Sequence, residues 1–166
     1  MNEKAFSKQY SVRKLNEEDT ERILALCKGN PLYYRYCPPF VTAESIEEDM
    51  TALPPGMSPE SKFYAGYFDG DRLIAVLDLI DGYPGKDTVF LGFFMCDASA
   101  QGRGVGTKII GELTGYLKAS GYARVRLAWV KGNPQAEHFW LKNGFAPVRE
   151  TESTDGHRVI LAEKIL

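Results

Sequence analysis

The chain has 166 residues, 44% of them hydrophobic and 12% aromatic, enough to bury one core and too few for two independent ones. A net charge of -2 and a pI near 5.8 exclude a field that would recruit nucleic acid or an anionic membrane surface, and no run of about eighteen apolar residues exists to cross a bilayer. The opening MNEKAFSKQY has no basic segment followed by an apolar one, and Cys27, Cys37 and Cys96 lack CxxC spacing, so the expectation is one cytoplasmic domain over residues 1–166 with reduced thiols and no metal.

Tyr10 to Lys14 reads as a first strand, followed by Asn16 as cap for a helix whose apolar stripe is Ile23, Leu24 and Leu26. Gly29 and Pro31 stop that helix. The segment NPLYYRYCPPF is dense in tyrosine and proline, and a second short helix runs from about Thr42 to Leu53 before Pro54, Pro55 and Pro59 break the chain. KFYAGYF and RLIAVLDLI, joined by Asp69-Gly70-Asp71, form a hairpin. TVFLGFFMC, residues 88 to 96, is apolar on both faces and therefore a central strand.

QGRGVGTKII comes next, at residues 101 to 110, and opens a helix carrying Ile109, Ile110, Leu113 and Leu117 that ends at Gly121. Arg124 to Val130 returns to β character, which implies a parallel pair joined by a right-handed crossover. Asn133 and Pro134 start a helix with Ala136, Phe139 and Trp140, closed by Asn143 and Gly144. Two strands finish the chain, about Ala146 to Thr151 and Arg158 to Ile165, with a turn at Asp155-Gly156. The fold class is α/β: a mixed, mostly antiparallel sheet of about seven strands with one parallel junction, and about four helices.

Glycine in a first helical turn costs roughly 1 kcal/mol relative to alanine, so Gly102, Gly104 and Gly106 together require a reason. Amides at a helix N-terminus lack intrahelical partners, and the macrodipole adds about half a positive charge there. A phosphate could approach the amides of residues 102 to 107, Val105 and Thr107 among them, while Arg103 reached a second phosphate. The competing reading is a tight strand-to-helix turn with no ligand. A dinucleotide GxGxxG fails at Thr107, and a Walker loop fails for want of glycine before Lys108.

Gln101-Gly102-Arg103-Gly104-Val105-Gly106 resembles the Q/R-x-x-G-x-G/A signature of the GNAT superfamily of acyl-CoA-dependent N-acetyltransferases. NPQAEHFWLKNGF likewise resembles that family's N-x-x-A-x-x-F-Y-x-K-x-G-F element, at Asn133, Ala136, Phe139, Lys142, Gly144 and Phe145. The resemblance covers about residues 60 to 165, and the earlier ones by element order. It implies a GNAT-like twisted sheet with a splayed parallel pair and acetyl-CoA as co-substrate, its pyrophosphate on residues 101 to 107. It further implies backbone groups near Phe94 and Cys96 bonding the pantetheine arm and the thioester carbonyl, with Asn133 holding pantetheine from the other strand. Asn133 also reads as a plain helix cap, and Cys96 as a small buried hydrophobe.

The tyrosine with which the family often protonates the departing thiolate corresponds here to Trp140, whose indole N–H is no acid near neutral pH. Either another group or water acts instead, or the chain is a non-catalytic acyl-CoA-binding module. Trp140 itself reads as core or acyl-pocket wall. The attacking amine, with a pKa of about 10.4, costs roughly 4.6 kcal/mol to neutralise at pH 7, so a proton acceptor is needed. Asp78 and Asp81 sit in or at the end of an apolar strand, and Asp78 is the first candidate, with a solvent-facing or salt-bridged aspartate as the alternative; Asp97 is second, and His138 is expected at the surface.

A backbone N–H around Phe94 would polarise the carbonyl, giving direct transfer in a ternary complex. Tyr33, Tyr34 and Tyr36 would wall an acceptor pocket or form a lid over the core, and Glu44 to Asp49 is a solvated helix face. The expected partner is an amine of a small molecule or protein, with neither nucleic acid nor membrane; a homodimer is left open.

Overall fold

A computed structural model describes residues 1–166. Gly70, at φ +58°, turns the chain between β2 (Lys62–Asp69) and β3 (Arg72–Asp81), which pair antiparallel over their whole length. β1 (Ser11–Lys14) lies outside β2, and β4 (Thr88–Cys96) inside β3. The chain then crosses through α4 (Val105–Ala119) to β5 (Arg124–Val130), and β7 (Arg158–Ile165) and β6 (Ala146–Glu152) complete a seven-stranded sheet ordered β1-β2-β3-β4-β5-β7-β6. Its single parallel pair is β4 with β5, as expected.

Each face of the sheet buries its own cluster. Ile109, Ile110, Leu113 and Leu117 of α4 cover Ala65, Tyr67, Leu77, Leu91 and Val125, and Trp140 of α5 (Pro134–Lys142) joins them. On the other face, Ile23, Leu24 and Leu26 of α1 (Thr20–Lys28) and Ile46 of α3 (Ala43–Thr51) cover Tyr64, Phe68, Val76 and Met95. β4 is therefore covered on both sides, which its unbroken apolar run requires.

Two local features depart from the sequence reading. Asn16 caps a one-turn 3-10 helix (Glu17–Asp19) in a reciprocal box with Asp19, and α1 begins only beyond it. The tyrosine-rich segment forms a fifth helix, α2 (Pro31–Tyr36), with Pro31 in its first turn, where the missing N–H costs nothing.

The parallel pairing is short: Thr88 to Leu91 meet Arg124 to Leu127, and beyond that the strands part. A bulge drives the separation. Asp78 pairs with Phe93 while Leu79 pairs with Leu91, leaving Gly92 as the extra residue, and a bulge bends and twists its strand away from a neighbour. Asp97 donates its N–H to the Ile74 carbonyl, so by antiparallel alternation Met95 and Phe93 also bond to β3. Phe94 and Cys96 turn their N–H and C=O groups the other way, into the gap that β5 has vacated.

Candidate active site

Two cavities meet in that gap. The first, about 410 Å³, lies between the end of β4, the N-terminus of α4 and the side of α5. The second, about 630 Å³, opens past α3 and the β6–β7 turn and reaches Asp78 and Lys62 at its inner end. Five residues line both: Tyr33, Phe94, Asn133, Ala136 and Trp140.

The first cavity is floored by bare backbone. Gly102 and Gly104 have φ of +70° and +79°, the left-handed region that glycine enters at least cost, and Gly104 caps α4 with no side-chain hydrogen bond. Amides 102 to 107 donate to no acceptor in the chain. A Cβ on Gly106 would lie 3.1 Å from the Phe139 ring and 3.3 Å from Cys96 Sγ, so any side chain at the helix start would require those neighbours to give way by a few tenths of an ångström. These unpartnered amides at the positive end of a helix suit a diphosphate, and residues 102 to 107 therefore fit the pyrophosphate of a CoA thioester. Arg103 is exposed at the rim and makes no ion pair.

Gln101 and Asn30 have a part the sequence did not reveal: both side chains donate to the Cys96 carbonyl, Gln101 Nε2 at 3.0 Å and Asn30 Nδ2 at 3.2 Å. That leaves the N–H and C=O of Phe94 and the N–H of Cys96 facing the gap without a strand partner. Burial pushes the Cys96 thiol up to about 12, so it stays protonated and is no nucleophile near neutral pH. Asn133, 3% exposed, caps α5 by accepting from the Ala136 amide at 3.1 Å and also lines both cavities, so its cap and ligand readings coexist. Trp140 packs between Phe94, Phe139 and Phe145 and is at once core and cavity wall.

Asp78 lies at the inner end of the second cavity, 9% exposed. Lys62 Nζ, equally buried, sits 2.9 Å from Oδ1 and 3.0 Å from Oδ2, but donates a well-directed hydrogen bond only to Oδ2; Oδ1 accepts none. A third bond runs from Lys62 Nζ to the Ala52 carbonyl just past α3, at 2.8 Å. Burial raises the carboxyl to about 6, outweighing the nearby ammonium, which pulls it down. Gly92 supplies the room, since a Cβ there would come within 2.6 Å of Asp78 Oδ2.

The other sequence candidates divide between the cavities and the surrounding structure. Asp97 caps the 3-10 turn Ala98–Ala100 and pairs with Arg72, and Asp81 accepts from the Tyr122 hydroxyl at 2.6 Å. Tyr33 stands edge-on to Phe93 and faces both cavities, its phenol held well above the ordinary range by burial. Tyr34 packs against Tyr33 and Phe40 beside the α1 core, and neither it nor Tyr36 lines either of these two cavities. His138 is exposed at the rim of the first cavity. Glu44, Glu47 and Glu48 are solvated, while Asp49 on the same helix reaches the second cavity. Lys62 and Gly92 escaped the sequence reading. A lysine opening a strand carries no sign of burial, whereas a glycine inside an apolar strand is a recognisable bulge signal.

Comparison with known proteins gives a consistent result. The model of the Acetyltransferase (GNAT) family matches residues 18–145. The uncharacterized N-acetyltransferase YobR of Bacillus subtilis (strain 168) is 31% identical over 94 residues, 55% of this chain and 36% of that protein, so the chain spans about a third of the curated relative's length. An acetyltransferase from Thermus thermophilus superposes with a TM-score of 0.77 at 20% identity, covering 95% of this chain and 97% of that one. The PaiA N-acetyltransferase from Thermoplasma acidophilum, solved in complex with coenzyme A, gives 0.67 at 20% identity, covering 95% and 99%.

Proposed function

The chain belongs to the acetyltransferase (GNAT) family, and on that premise we propose that it transfers an acetyl group from acetyl-CoA to a primary amine of a small molecule or protein, by direct attack in a ternary complex. The whole of residues 1–166 acts as one such domain. The observation that carries the reading is the gap between β4 and β5, edged by unpaired backbone of Phe94 and Cys96 and closed at one end by the free amides of residues 102 to 107. An extended amide-bearing ligand completes a strand edge of this kind. The coenzyme A bound to the Thermoplasma relative supports the same choice.

Acetyl-CoA supplies the thioester. Amides 102 to 107 and Arg103 hold its diphosphate, while Phe94, Cys96 and Asn133 hold the arm that follows, with Gln101 fixing the end of β4. The Phe94 N–H receives the thioester oxygen as charge builds there, a contribution of about 3 kcal/mol for a fixed donor. The amine enters by the second cavity past Tyr33 and Trp140 and gives its proton to Asp78, directly or through water; its nitrogen bonds to the carbonyl carbon as the C–S bond breaks. Burial holds the Tyr33 phenol, the one ionisable group of the five residues shared by the cavities, too far above its ordinary range to serve as the acid, so the thiolate, a fair leaving group with a pKa of about 8.5, takes its proton from water.

A thermal-shift series with acetyl-CoA, followed by turnover against an amine panel, tests the reading in two stages. Stabilisation followed by CoA release is expected. Stabilisation with no turnover for any amine would favour a non-catalytic acyl-CoA-binding module, the reading that Trp140 in place of the usual tyrosine suggests; no stabilisation at all would defeat both.

A further inference from the structure

We propose that Lys62 is a positioning residue for the acetyl transfer: its ammonium holds the buried Asp78 carboxylate ionised and fixed at the inner end of the second cavity. The inference rests on Asp78 as the base. A carboxyl that is 9% exposed and has no cationic partner keeps its own proton, because burial disfavours the charge, and a protonated acid accepts nothing. Every charged group that faces Asp78 can be named. Lys62 comes from β2, Asp49 from α3, and Asp155 and His157 stand farther along the cavity wall at the β6–β7 turn; β4 offers only Gly92 and Phe93, and Tyr64 is a neutral phenol that burial holds un-ionised. Asp49 is a like charge that works against ionisation, so Lys62 is the only permanent cation lining the cavity.

The geometry suits holding rather than reacting. Lys62 Nζ bonds Oδ2 and the Ala52 carbonyl, and lies 2.9 Å from Oδ1 without directing an N–H at it. The ammonium is therefore anchored between the strand and the end of α3, against a carboxylate whose Oδ1 is itself shielded from solvent.

The test is kcat/KM for one amine acceptor from pH 5 to 9 at saturating acetyl-CoA, in wild type, Lys62→Met, Lys62→Arg and Asp78→Asn, each checked by thermal melting. Ionisation of the acceptor itself contributes equally to every profile. Lys62→Met should move the acidic limb up by about one pH unit or more, so that the rate is about fivefold or more lower near pH 6 and returns to within a few-fold of wild type above the new limb. Lys62→Arg should leave the limb close to its wild-type position. Should Lys62→Met melt below the assay temperature, Lys62→Gln, which keeps a donor for the Ala52 carbonyl, gives the same readout. An unmoved limb, or a loss equal at every pH, overturns the proposal. An Asp78→Asn profile identical to wild type would remove the base assignment itself, an outcome separable from failure of the lysine variants alone.

Discussion

Asp78 and Gly92 are bound to one another by space. An alanine Cβ at Gly92 would meet the Asp78 carboxylate at 2.6 Å, and that carboxylate is too short and too firmly held by Lys62 to retreat freely. Gly92→Ala is therefore expected to lose about 1 kcal/mol or more in urea denaturation and to lower turnover more than a surface alanine substitution does. Full turnover with unchanged stability would mean the carboxylate is less constrained than its contacts indicate. The same aspartate sets a pH dependence of stability. Its carboxyl lies near 6 in the folded chain against 3.8 as the ordinary value, so the folded state binds the proton more tightly. Its stabilising contribution is complete below pH 3.8 and lost as pH rises through about 6, on the order of 2 kcal/mol between pH 4 and 7. Unfolding free energies at these two pH values should show that decline in wild type, and a smaller one in Asp78→Asn, whatever its absolute stability. Equal declines would mean Asp78 does not titrate in this window.

Helix α4 carries glycines of two kinds, and the difference separates a ligand site from tolerated flexibility. Gly104 has φ +79°, whereas Gly115 is exposed, has ordinary helical geometry, and a Cβ there would meet nothing within 4 Å. Gly115→Ala should be neutral or stabilising by about 0.5–1 kcal/mol and leave acetyl-CoA affinity unchanged. Gly104→Ala should cost about 1 kcal/mol in left-handed strain and weaken acetyl-CoA binding about tenfold by calorimetry, because the cradle must unwind to relieve it. Comparable affinities for the two variants would argue against a diphosphate on these amides. The glycines, the strand before them and the cap at Asn133 were legible because each rests on a local rule: backbone freedom, unbroken apolar burial, an Asn-Pro helix start. What sequence could not show is long-range. Register alone brings Lys62 beside Asp78, and only the fold lets Asn30 and Gln101 converge on the Cys96 carbonyl. Of the three tyrosines taken as acceptor contacts, only Tyr33 faces the cavities; helix α2 turns the neighbouring Tyr34 to the core beside α1.

At the scale of the whole molecule, the sheet separates two entrances and joins them at one opening. One cavity is reached past α4 and α5, the other past α3 and the β6–β7 turn, and they share only Tyr33, Phe94, Asn133, Ala136 and Trp140. Such a layout allows both substrates to be present together, since neither route crosses the other. Neither thiol beside the junction is poised to carry the acetyl in between: Cys96 is 8% exposed and lines only the first cavity, Cys37 lines only the second, and burial raises both above the ordinary thiol value. Initial rates measured against acetyl-CoA at several fixed amine concentrations should therefore give intersecting double-reciprocal lines, and Cys96→Ala should keep turnover within a few-fold of wild type after a loss of about 1 kcal/mol in stability. Parallel lines, together with acetyl trapped on the protein when the amine is withheld, would require a covalent carrier that the junction does not contain, and the ternary-complex reading would give way to a two-step one.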